Sequence, residues 1–96
     1  MRTTYVVVYD VSDPKRLRLV HRAMRGFGDR MQYSVFRCEL NTMERVLLEA
    51  KVSPLIHHGE DQVLIIPLGP PGGHNDSAIR SLGRPYVERE RCVVVV

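Results

Sequence analysis

Seven β-branched or aromatic residues, Thr3 to Tyr9, run directly into Asp10. Side chains of this kind lose rotamer freedom in a helix and pack well on a pleated surface, so the segment is predicted to be a buried central strand. The residues that follow break it sharply. Asp13 can cap a helix, and Pro14 suits the first helical position, where a missing N–H costs nothing. The chain therefore opens strand-then-helix, with a carboxylate at the junction.

The predicted helix has two stripes. Leu17, Val20, Met24 and Phe27 recur at helical spacing and mark a core face, and Gly26 and Gly28 stop the helix. Lys15, Arg18, Arg22 and Arg25, spaced three, four and three apart, form a second face offset from the first. On an isolated helix such a stripe is most simply a solvated charged face. Beside Asp10, a phosphate-tracking role is slightly favoured.

Arg30 to Leu40 is extended, as one long strand or two short ones bent in the middle. Asn41 and Glu44 have the spacing of a capping box ahead of a second helix, whose apolar stripe is read as Met43, Val46, Leu47 and Ala50. Pro54 should end or kink that helix. His57-His58-Gly59 reads as a loop, and Gln62 to Leu68 as a strand whose Pro67 marks its end or an edge position. Residues 69–77 form a flexible connection, and Ala78 to Leu82 a short further strand. The terminal Cys92-Val93-Val94-Val95-Val96 would aggregate if left unpaired. It pairs either within its own chain or with the edge of a partner subunit.

At 96 residues the chain is one domain, 1–96, with a modest core to which oligomerisation would add burial. Strands mixed with two one-sided helices give an α+β, ferredoxin-like sandwich: an antiparallel or mixed sheet with both helices on one face. The net charge of +3 is too small to prove a polyanionic partner. Lys and Arg together number 14, however, and only Lys15 and Lys51 are lysines. Guanidinium suits bidentate phosphate contact. Cys38 and Cys92 have no close pairing, so they are expected to be reduced, buried thiols of a cytoplasmic protein. No apolar run is long enough to cross a membrane.

Other chemistries are weaker. The glycine-rich segment lacks the Lys-Ser/Thr of a P-loop. His21 lies among arginines, His57, His58 and His74 lie in loops without ligand spacing, and Cys38 has no defined basic partner. Tyr33 and Phe36 do not reproduce the aromatic strand motifs of sheet-type RNA binders. Asp10 remains, with Ser12 and Asp13 beside it as groups able to hold water or metal, although the local sequence alone is better explained by Asp10 starting the turn and helping to cap the helix. Mg²⁺ takes oxygen ligands and few carboxylates, so two copies of Asp10 meeting at a two-fold axis would suffice.

The segments Val6 to Leu40 and Asp61 to Leu68, with Tyr-Asp-Val-Ser-Asp and Gln-Tyr-Ser-Val-Phe at their observed separation, resemble the CRISPR-associated protein 2 family over nearly the whole chain. The resemblance implies a ferredoxin-like homodimer in which the C-terminal strand, residues 86–96, packs on the other subunit. It implies that Asp10 is the catalytic, metal-binding residue, paired with its symmetry mate and served by Mg²⁺ or Mn²⁺. Tyr9, Ser12, Arg16, Arg18, Arg30 and Phe36 would be nearby supporting residues. Lys15, Arg16, Arg18, Arg22, Arg25 and Arg30 would bind nucleic acid. The implied function is an endonuclease on single-stranded RNA or double-stranded DNA, acting in spacer acquisition with the CRISPR integrase subunit. The alternative is a non-catalytic dimeric scaffold that bridges integrase subunits and binds prespacer DNA.

Overall fold

The structure, a computed structural model, describes residues 1–72 and 79–85. Its elements run β1 (Thr3–Asp10), α1 (Pro14–Met24), β2 (Asp29–Gln32), β3 (Val35–Leu40), α2 (Thr42–Val52), a 3₁₀ turn (Ser53–Leu55) and β4 (Gln62–Gly69). The four strands form one sheet in the order β2-β3-β1-β4. Every neighbouring pair is antiparallel. This β-α-β-β-α-β order and strand arrangement is the expected ferredoxin-like α+β fold.

β1 occupies an inner position between β3 and β4, as its composition requires. Strand alternation sends Val7, Tyr9 and the half-buried Tyr5 toward the helices, where they join Phe36, Cys38 and Leu40 of β3. Val20, Ala23 and Met24 of α1 and Leu48 and Val52 of α2 close the core from above. Burying a side chain the size of Phe36 or Leu48 contributes about 1.5–3 kcal/mol. The other face of the sheet carries Val6, Val8 and Asp10 of β1. In register, Val6 lies opposite Ile66, Val8 opposite Leu64, and Asp10 opposite Gln62.

α1 follows its predicted pattern. The Asp13 carboxylate accepts from the Arg16 N–H at 2.9 Å, Pro14 stands in the first turn, and Leu17 and Phe27 flank the buried Val20 and Met24. Gly28 does more than stop the helix. A Cβ there would lie 2.3 Å from the Arg37 carbonyl oxygen and 2.7 Å from Cys38 Sγ. Glycine is what lets the end of the α1–β2 connection lie against β3.

Of the two forms open to segment 30–40, the chain adopts two short strands, β2 and β3, separated at Tyr33 and Ser34. Two expectations change. The further strand expected at Ala78 to Leu82 is absent from its described part, residues 79–82; Ala78 lies outside the described residues, as do Cys92 and the tail 86–96. The apolar face of α2 was misassigned. Leu48 and Val52 are buried, whereas Met43, Val46, Leu47 and Ala50 point outward, with Met43 67% exposed. α2 carries two apolar stripes, and local periodicity cannot rank them. The turn from β3 is only Asn41, and its capping box (Glu44 N–H to Asn41 Oδ1, 2.8 Å; Asn41 N–H to Glu44 Oε1, 3.0 Å) fixes the rotation of the helix on the sheet.

Gly28→Ala should destabilise the fold by about 1–3 kcal/mol, as overpacking does. Gly26→Ala, whose Cβ would meet only the Ala23 carbonyl at 3.4 Å, should cost far less. Urea unfolding of the two variants checks this, and equal midpoints would refute the close-approach account.

Candidate active site

Asp10 is the last residue of β1, and ladder pairing with Gln62 and a backbone hydrogen bond from the Tyr9 N–H to the Ser34 carbonyl (3.1 Å) hold its backbone. Its side chain is exposed on the outer face of the sheet and makes no hydrogen bond or ion pair with any described residue. A carboxylate on a rigid strand end, without a partner among the described residues, keeps its lone pairs toward solvent.

Tyr9, one residue earlier, points the opposite way. Its ring stacks on Phe36 with centroids 6.1 Å apart, and His21 meets Phe36 edge-on at 5.4 Å. The Tyr9 hydroxyl lies 3.1 Å from His21 Nδ1, and Arg30 Nη1 lies 3.4 Å from His21 Nε2. Guanidinium can only donate, so Nε2 accepts and Nδ1 carries the proton and donates to the Tyr9 oxygen. Burial pushes the Tyr9 phenol up to about 12. Burial, then the Arg30 and Arg25 charges, push His21 below the usual histidine value. Both groups are therefore neutral near pH 7, and together they form a support that orients Arg30.

A second cluster lies on the other side of the β1–α1 junction. Asp61, just before β4, accepts from Arg16 Nε (2.8 Å) and Nη2 (3.1 Å), from the His57 N–H (2.8 Å), and from the Ser12 N–H (3.1 Å) and hydroxyl (3.3 Å). Its carboxylate is fully shielded from solvent, and the Arg16 hydrogen bonds, against the opposing effect of burial, hold it well below the usual carboxylate range. Glu60 adds a contact to Arg16 Nη2 at 3.3 Å. Ser12 and Arg16 are thus tied to Asp61, and Asp13 to the helix N-terminus. The structure brings Tyr9, Phe36 and Arg30 together through His21, and Ser12 and Arg16 together through Asp61. Among the described residues, Asp10 is the one carboxylate at the junction without a partner.

Lys15, Arg18, Arg22 and Arg25 are exposed, and none pairs with a carboxylate among the described residues. Sequence reasoning missed Asp61 and His21 as organising residues. An acid just before a strand and a histidine on a charged face carry no local signal of long-range partners.

The domain is ferredoxin-like, with an exposed carboxylate at the end of its central strand and exposed basic residues on the helix that follows. The family profile described as CRISPR associated protein Cas2 matches residues 2–72, and the chain belongs to that family. It is 39% identical over 92 residues to the CRISPR-associated endoribonuclease Cas2 1 of Rhodospirillum rubrum, covering 96% of this chain and 89% of the relative. It is 34% identical to the CRISPR-associated endoribonuclease Cas2 of Geobacter sulfurreducens over the full length of both. The crystal structure of Streptococcus pyogenes Cas2 at pH 6.5 superposes with a TM-score of 0.72 at 28% identity, covering 83% of this chain and 99% of that one.

The Asp61 cluster makes stability depend on pH. A carboxyl held below its unfolded value of 3.8 contributes fully above that value, and the contribution is lost as the pH falls through the lower, folded one. Asp61→Asn should be less stable than the parent at pH 7, and the gap should narrow on acidification below about pH 4. Urea midpoints across that range test it; a constant gap would contradict the linkage.

Proposed function

We propose that the chain is a metal-dependent endonuclease of the CRISPR adaptation machinery, working as a homodimer on nucleic acid in the cytoplasm. The observation that carries the reading is Asp10: exposed, without a partner among the described residues, and at the end of a sheet face that carries an apolar patch. Leu64 and Ile66 in that patch are 46% and 42% exposed, with Val6, Val8 and Val35 beside them, while Arg37 and Glu39 lie further along β3. An exposed apolar patch on a sheet fits a self-complementary interface, and a two-fold axis through it would bring two copies of Asp10 to one place.

The donor chemistry fits Mg²⁺, with Mn²⁺ the alternative. Among the described residues no group of three or more His, Cys, Asp or Glu could hold a metal within one chain. A pair of Asp10 carboxylates with retained waters matches the preference of Mg²⁺ for oxygen and few protein ligands. When bound, the ion supplies electrostatic stabilisation of the phosphoryl oxygens and a more acidic water. The protein residues then have distinct tasks. Asp10 holds the ion. Lys15, Arg18, Arg22, Arg25 and Arg30 bind flanking phosphates. Tyr9 and Phe36 position Arg30 through His21. Asp13, Ser12 and Arg16 keep the start of α1 fixed beside Asp10.

The relatives named as endoribonucleases support RNA as substrate, with double-stranded DNA the second possibility. A scaffold reading, in which the dimer bridges integrase subunits and binds prespacer DNA, is favoured by one observation: among the described residues, each chain brings a single unpartnered carboxylate to the site. Asp10→Ala separates the two. It should lower Mg²⁺-dependent cleavage of labelled RNA by purified protein at least 100-fold, while dimerisation and binding persist. Undiminished cleavage by that variant would sink the enzyme reading, and unaltered spacer acquisition in cells would make the scaffold role the biological one.

Ile66→Asp puts a charge on the apolar face, away from Asp10. Light scattering should show this variant as a folded monomer without nuclease activity. An active dimer would disprove the sheet-face interface.

A further inference from the structure

On the helix side of the same strand end, an open cleft of about 360 Å³ is lined by Pro14, Leu17, Arg18, His21, Arg30 and Tyr33. Its composition is specific. Pro14 and Leu17 give it an apolar wall, Arg18 is exposed, and Tyr33, in the turn between β2 and β3, is 66% exposed as a residue. The Arg30 guanidinium lies 5.5 Å from the Tyr33 ring centroid. What sets Tyr33 apart from other exposed hydrophobics is its place in a cleft that also holds two guanidinium groups.

We propose that this cleft holds one unpaired base of a single-stranded nucleic acid, stacked against Tyr33 with its phosphate on Arg18. The proposal rests on the reading of the protein as a nucleic-acid enzyme and adds a subsite to it. An apolar wall, an aromatic face and two cations match the flat, polarisable base and the anionic phosphate of one nucleotide. Both nitrogens of His21 are already engaged, by Tyr9 and Arg30, so the ring cannot read a base edge. The subsite is therefore tolerant of sequence, because every base offers a π-face. It is selective for single strands, since a paired and stacked base cannot enter. Its position relative to Asp10 is fixed by one bond. The Tyr9 N–H donates to the Ser34 carbonyl, so Tyr33 and Asp10 each follow or precede a partner of that bond by one residue. A strand whose base sits in the cleft passes the end of β1 on its way to the carboxylate.

The test is equilibrium binding by wild-type and variant protein without divalent ions, so that cleavage plays no part. The probes are a fluorescent single-stranded oligoribonucleotide, an abasic sugar-phosphate strand of equal length, and a duplex. Tyr33→Ala should weaken binding of the base-bearing single strand about five- to tenfold, the low end for stacking of one base, because Arg30 already covers part of the ring. It should leave the abasic strand and the duplex unchanged. Tyr33→Trp should restore the single strand, and Arg18→Ala should weaken all three probes. Equal losses for base-bearing and abasic strands, or no loss at all, would overturn the subsite while leaving the nuclease reading intact. Failure of the wild-type protein to bind any probe would overturn both.

Discussion

The whole arrangement depends on the alternation of β1 between its two neighbours. β3 and β4 pair with it on both sides, and its side chains leave alternately toward the helices and toward the outer face. Tyr9 goes inward to meet Phe36 and His21, and Asp10 goes outward to the apolar face. A slip of one residue would bury the carboxylate and expose the phenol, so both the core and the site reject it. That is why a strand with apolar residues on both faces, which alone would be indifferent to register, has only one usable pairing here.

Sequence and structure agree where the signal is local or strongly periodic. The β-branched run of β1, the Asp13-Pro14 start of α1, its Leu17, Val20, Met24 and Phe27 face, and the Asn41–Glu44 capping box were all legible because neighbours a few residues away decide them. α2 was misread because Leu48 and Val52 compete with a longer stripe of Met43, Val46, Leu47 and Ala50, and only docking on the sheet ranks the two. The bend between β2 and β3 was left open, since nothing in Gln32-Tyr33-Ser34 demands a turn. Asp10 stands out as a candidate in the sequence because it ends a strand. Asp61 does not, because its partners Ser12 and Arg16 lie 49 and 45 residues away. The family resemblance named Ser12 and Arg16 without saying what holds them.

The charges divide into two populations with different physics. Arg16 is held in a shielded network with Asp61, where every polar atom named has a partner. Removing one member would strand the others, so the cluster fixes the β1–α1 junction. Lys15, Arg18, Arg22 and Arg25 stand in solvent without carboxylate partners among the described residues, so their field is not cancelled locally. The net charge of +3 hides this division. Arg16, paired with Asp61, lies at the β1–α1 junction, and these four lie along the helix that follows.

Arg30 connects the two halves of this picture. It belongs to β2, yet its guanidinium reaches His21 on α1 and lies over Tyr33 in the next turn. His21 can accept from it only while neutral, and burial together with the nearby cations keeps it neutral. The Tyr9 hydroxyl accepts the remaining His21 proton, and the same residue's backbone leads directly to Asp10. A change in the protonation of one half-buried imidazole would therefore move a cation at the cleft and loosen the contact beneath the carboxylate. The sheet transmits position from the helix side to the outer face through Tyr9 and Asp10, adjacent residues facing opposite ways. The cleft on one side and the carboxylate on the other are consequently linked through a single rigid strand, so a shift at one is felt at the other.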